Sequence, residues 1–117
     1  MDITRDAYWQ RIAAITRWLD EHPAFYGDAL QWRVGKIAEE LGEAHAAMGA
    51  MAGQNPRKYT PETRVRSVDN LASELSDVII TACVALFTLT PAADKHVTHR
   101  INLIHERVTN PSKGNTP

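Results

Sequence analysis

The sequence predicts an all-α protein, and three observations carry that prediction. Apolar residues recur at alternating steps of three and four in four separate stretches. No stretch shows the apolar/polar alternation with Gly/Asn turns that marks a hairpin. The prolines fall between the periodic stretches and not within them, as they must if those stretches are helices. Four helices with short or modest links make a four-helix bundle the expected architecture.

The first helix is expected from about Thr4 to Glu21, with Thr4 as its N-cap and Tyr8, Ile12, Ile15 and Leu19 on one stripe. "HPAFYG" ends it, since Pro23 cannot continue a helix and Gly27 permits a turn. Asp28, followed three positions later by Gln31, resembles a capping box. From there Val34, Ile37, Leu41, Ala44, Met48 and Met51 define a long second helix ending near Gly53. The polar connection "GQNPRKYTPETRVRS" contains Thr60-Pro61, read as a short helical turn of its own. A third helix is expected over about Val68 to Leu89, with Val68, Leu71, Leu75, Val78, Ala82 and Ala85 on its stripe. Thr90-Pro91 reads as N-cap and first position of a fourth helix, which reaches about Val108 with Val97, Ile101, Ile104 and Val108 on its apolar face.

At 117 residues, 44% apolar and 23% charged, the chain is long enough for one core and too short for two. The expected organisation is a single all-α domain over residues 1–109 and a disordered tail over 110–117. Thirteen basic against fourteen acidic side chains leave a net charge of −1, which gives no basic field to gather phosphates, so nucleic acid is not an expected partner. The longest apolar stretch, "VIITACVALFTL", has 12 residues, against the roughly 20 needed to cross a bilayer. No basic segment leads into an apolar one at the N-terminus, so the chain is read as cytoplasmic with no membrane partner. The single cysteine, Cys83, lies in an apolar helical run and is read as a small core residue.

The chemistry lies in the acids of the second and third helices. At an offset of 34 positions Val34 falls on Val68, Ile37 on Leu71, Leu41 on Leu75 and Ala44 on Val78, while Glu40 falls on Glu74 and Glu43 on Asp77. Each helix therefore carries a carboxylate pair at i and i+3 in the same position relative to its stripe. At 100° per residue the first acid lies about 70° and the second about 130° from the stripe centre, while Glu39 points almost directly away. If the helices pack antiparallel, both pairs line one groove, and four facing carboxylates call for cations among them. Hard oxygen donors on facing helices suit Mg²⁺ or Mn²⁺. A solvated face is the competing reading of either pair alone, with Lys36 and Glu40 as an ordinary i,i+4 pair. A di-iron bundle wants Glu-x-x-His on two helices, and no Glu here has His three positions later.

At these residues, "EELGE" (Glu39 to Glu43) and "ELSD" (Glu74 to Asp77), the sequence resembles the MazG-like family of all-α nucleoside triphosphate pyrophosphatases, whose signature is EExxE followed by ExxD. The resemblance implies a MazG-like bundle completed by oligomerisation, as a homodimer or homotetramer. It implies Mg²⁺, with Mn²⁺ as substitute, on Glu40, Glu43, Glu74 and Asp77, and hydrolysis of an NTP or dNTP to the monophosphate and pyrophosphate. Those four acids are then catalytic as well as metal-binding.

Phosphate charge calls for protein cations. Lys36, one turn before Glu40, and Lys95 and Arg100 on the fourth helix are the substrate-binding candidates, with Asn102 for sugar or base and Glu39 in the same set. Arg57, Lys58, Arg64 and Arg66 in the connection are further cations. Trp9, Trp18 and Trp32 are read as core or interface aromatics, and His96, His99 and His105 as residues of a partly exposed helix. The competing functions are a phosphoribosyl-ATP pyrophosphatase, a regulator that binds nucleotide without hydrolysing it, and a helical interaction module whose acids only solubilise it.

Overall fold

The computed structural model describes residues 5–52, 61–110 and 112, with the side chains of 61–67 outside that description. Among the described residues it has four helices and no strand: α1 (Arg5–Glu21), α2 (Ala29–Met51), α3 (Pro61–Leu89) and α4 (Ala93–Thr109). The all-α expectation holds element by element. Thr4, Arg57, Lys58 and most of the expected tail lie outside the described residues.

Local chemistry sets the element ends. Between α1 and α2, Gly27 adopts φ 95, a left-handed conformation that a side chain would strain. Asp28 then caps α2 from extended backbone, its carboxylate accepting from Gln31 N at 2.9 Å. At the other end the Ala52 N–H donates to Met48 O and closes the last turn.

Two expected starts move. The third helix begins at Pro61 and not near Val68, so the short turn expected at Thr60-Pro61 is the first turn of α3 itself. Proline's fixed φ suits that first position, and the polar residues after it are acceptable helix formers. The fourth helix begins at Ala93, two residues after Pro91. Thr90 Oγ1 accepts from Ala92 N at 3.2 Å and so closes a turn instead of capping a helix.

α3 is the central element, packed by α1, α2 and α4. On the α1 side, Ile12, Cys83 and Val84 form a buried cluster, with Tyr8, Trp9, Leu19 and Phe87 packed around it. Tyr8 Oη lies 3.4 Å from Cys83 Sγ, and that contact with burial pushes the phenol up to about 12. Thr16, also buried, donates to Ile12 O at 2.8 Å, so its hydroxyl is satisfied within its own helix. Arg5 reaches from the start of α1 to Thr98 Oγ1 on α4 at 2.7 Å.

α2 runs antiparallel to α3: Arg33 near its start meets Thr88 near the end of α3, and Glu40 meets Asp77 further along. The face that packs is not the one marked by the largest apolar residues. Arg33, Ala44, Ala47 and Ala50 are buried on α2, with Ile37, Glu40 and Met51 half-buried between them. At 100° per residue this seam is turned about 60° from the expected stripe, toward the acids. α3 is turned in the same sense, with Leu71, Glu74, Val78, Thr81 and Thr88 half-buried and Ala85 buried. Alanines at the seam let two backbones approach, and this close packing outweighs burial of the bulkier side chains. The displaced residues, Val34, Leu41 and Met48 on α2 with Val68 and Leu75 on α3, and Ile79 beside them, are 45% to 56% exposed.

α4 departs from expectation in the same direction. Its stripe residues Ile101, Ile104 and Val108 are exposed and Val97 is half-buried. The stretch Val68–Leu89, 22 residues, also reaches the length and apolarity of a membrane span, which the 12-residue run did not suggest. It carries Glu74 and Asp77, whose charge is costly at the centre of a bilayer.

Candidate metal centre

The turned seam decides where the acids stand. Glu40 and Glu74 sit within the α2–α3 contact and are half-buried, while Glu43 and Asp77, one turn along each helix, are exposed at its edge. The flank position expected for the first acid of each pair is thus replaced by a seam position. One oxygen from each of Glu40, Glu74 and Asp77 lies within 4.8 Å of the others. Glu43 stands beside them, close enough for its carboxylate to raise both Glu40 and Glu74. All four acids named from the sequence therefore converge, from two helices, on one place.

The electrostatics follow from that crowding. Glu40 is raised above the ordinary glutamate range, first by burial, then by the charges of Glu43 and Asp77, with Lys36 opposing. Glu74 is raised by burial and by the same two neighbours, with no opposing cation. Lys36 is raised chiefly by its bond to Glu39, with Glu40 and Glu43 contributing through their charge. Its Nζ lies 3.0 Å from Glu39 Oε2, so the solvated-face pair is made with Glu39 and not with Glu40. Glu40 is left to the cluster.

The donor set suits a hard divalent cation. Three carboxylate oxygens in mutual reach provide the charge and the ligand type that Mg²⁺ or Mn²⁺ prefers. Glu74 Oε2 is buried without a hydrogen-bond partner among the described residues, a state that costs free energy unless something compensates it. A bound cation would do so, and the residues fit it.

The other candidates are distributed differently. Glu39 is exposed and tied to Lys36. Lys95, Arg100 and Asn102 are exposed on α4, and neither hydrogen bond nor ion pair connects them with the acids. Arg64 and Arg66 fall in the first turns of α3, where side chains are outside the described residues. Trp9 packs at the core, Trp18 is 57% exposed and stacks on His22 at 4.3 Å, and Trp32 stacks on Phe25 at 5.8 Å. His96, His99 and His105 are exposed, as expected.

Sequence reasoning missed Arg33. It is 4% exposed, donates from Nη1 to Thr88 Oγ1 at 2.8 Å, and brings Nη2 to 2.8 Å from Asp20 Oδ1. The available signal was its spacing: Arg33, Ile37, Glu40, Ala44 and Ala47 step by four and three along one face. No family model, curated protein or solved structure matches this chain.

Proposed function

We propose that this chain is a Mg²⁺-dependent nucleoside triphosphate pyrophosphohydrolase of the MazG-like kind, which converts an NTP or dNTP to the monophosphate and pyrophosphate. One observation carries the reading: Glu40, Glu74 and Asp77, with Glu43 beside them, converge across the α2–α3 seam around a buried carboxylate oxygen that has no hydrogen-bond partner among the described residues. Glu40, Glu43, Glu74 and Asp77 are the residues that would hold the metal. When bound, the ion neutralises phosphate oxygens and acidifies a coordinated water.

The chain's own residues do the rest. Lys36 draws the polyphosphate toward the acid end of the seam. Water adds to the α-phosphorus, pyrophosphate leaves with the electrons of the broken P–O bond, and a carboxylate of the quartet takes the proton. No covalent nucleophile is involved.

The same reading takes the chain as a homodimer or homotetramer. In an antiparallel pair the positions just past the seam on each helix lie on one side, so Val34, Leu41 and Met48 share a face with Val68, Leu75 and Ile79. Such a face is larger than the scattered apolar residues of an ordinary surface. It also favours the rival reading of a helical interaction module.

Pyrophosphate release from a panel of NTPs and dNTPs, with Mg²⁺ or Mn²⁺ and with excess chelator, separates these readings. The expected result is metal-dependent pyrophosphate with the matching monophosphate. Release confined to phosphoribosyl-ATP would move the assignment to that enzyme class. No release from folded protein with any substrate would leave the interaction module.

A further inference from the structure

A cavity of about 220 Å³ lies beside the acids. Phe25, Trp32, Arg33 and Lys36 contribute to it from the α1–α2 link and α2, and Ile80 and Thr81 from α3. Lys36 is one turn from Glu40 and Thr81 one turn from Asp77, so cavity and acid cluster are neighbours along the same seam, about 6 Å apart by helical rise. The volume is below the ~300–1,000 Å³ of sites for drug-sized ligands, so one compact ring system suits it.

Three features describe the ligand. Phe25 and Trp32 stack with centroids 5.8 Å apart and planes at 21°, giving one wall a flat aromatic surface. Arg33, whose side chain is 5% exposed, also lines the cavity. Its Nη2 lies 2.8 Å from Asp20 Oδ1, which balances the charge, but it makes no hydrogen bond among the described residues. A buried donor in that state calls for an acceptor from outside the chain. Lys36 marks the cavity's edge toward the acids and supplies a cation on the path between the two.

We infer that this cavity holds the base of the nucleotide, that the base bears a ring carbonyl, and that Arg33 Nη2 donates to that oxygen. The inference rests on the pyrophosphohydrolase reading and narrows its substrate class to oxo-bearing nucleotides: those of guanine, cytosine, uracil or thymine. Adenine has no carbonyl: it presents an amino donor where guanine, uracil and thymine present an oxygen, whereas cytosine, which also carries an amino group there, keeps its ring carbonyl at C2. A buried guanidinium facing that amino group would remain without an acceptor, the situation that gives polar sites their strongest discrimination.

The test is calorimetric titration of dCMP, dUMP, dTMP, dGMP and dAMP into the full chain in excess chelator, so that the metal plays no part. At least one oxo-bearing monophosphate should bind at least 10-fold more tightly than dAMP, and Trp32→Ala should weaken it. Arg33→Lys keeps the charge beside Asp20 but loses the planar fork, and it should narrow the gap to dAMP while melting and circular dichroism stay close to the parent. If that variant does not fold, Trp32→Ala, at a half-exposed position, still decides.

Equal binding of all five, binding of none, or unchanged binding by Trp32→Ala would overturn the inference. The two readings fail separately. Metal-dependent pyrophosphate release as fast from dATP as from the others would overturn the oxo-base assignment and keep the hydrolase. Selective binding without release from any triphosphate would sink the hydrolase and keep the pocket.

Discussion

Glu74 is the residue on which most depends, because it is half-buried, holds its proton more tightly through burial and the charges beside it, and has one buried oxygen without a hydrogen-bond partner among the described residues. Glu74→Gln keeps the shape and removes the charge. Metal-dependent turnover should fall by more than the ~10–100-fold that losing an outer-shell partner costs a metal site. The same variant should melt higher than the parent in chelator, because the repulsion from Glu43 and Asp77 is gone. A lower melting temperature would mean that the carboxylate serves the fold.

The sign of the pH dependence follows from the same pair. Glu40 and Glu74 hold their protons more tightly in the folded chain than at the ordinary value of 4.5. Between that value and their raised values, the native state binds more protons than the unfolded one. The stability this provides is present in acid and lost as pH rises through the raised range. Melting of the metal-free protein should show that loss relative to Glu74→Gln. Added Mg²⁺ should stabilise more at neutral pH than in acid, where protons compete for the same oxygens. Equal stabilisation at both would place the ion elsewhere.

At the scale of elements, the α2–α3 seam explains what could be read in advance. The acids were legible because their register repeats at 34 residues on two helices, and repetition in register survives an error of orientation. The orientation itself was not legible. Weighting by side-chain size favours Val34, Leu41 and Met48, whereas the seam runs through Ala44, which the stripe already contained, to Ala47 and Ala50, which it did not, and small volume there sets how closely two helices meet. Helix starts behaved likewise: Asp28 was recognised from its own chemistry, but Thr90 in front of Pro91 supports either a cap or a turn. Arg33 escaped notice because burying a guanidinium depends on Asp20 and Thr88, which approach only in three dimensions. If the seam is as close as its alanines imply, Ala47→Leu should cost about 1–3 kcal/mol through overpacking. Denaturant unfolding measures this, and a neutral result would mean the helices stand further apart.

For the whole molecule, the radius of gyration of 17.7 Å exceeds the roughly 13–14 Å expected of a compact domain of this length. The excess agrees with apolar faces left open on the α2–α3 pair and on α4. If a second copy covers the first of these faces, Leu41→Glu should shift light-scattering mass from dimer or tetramer to monomer with helicity retained. Unchanged mass would remove that face from the assembly. Cys83 offers a different kind of access. It is the chain's one thiol, buried against Tyr8 beneath α1. A thiol reagent can reach it only when α1 lifts from α3, so the labelling rate in native buffer counts those openings one molecule at a time. The protein thus carries an internal clock for the opening of its first helix. Ile12→Ala, which removes packing from the same cluster, should make that clock run faster.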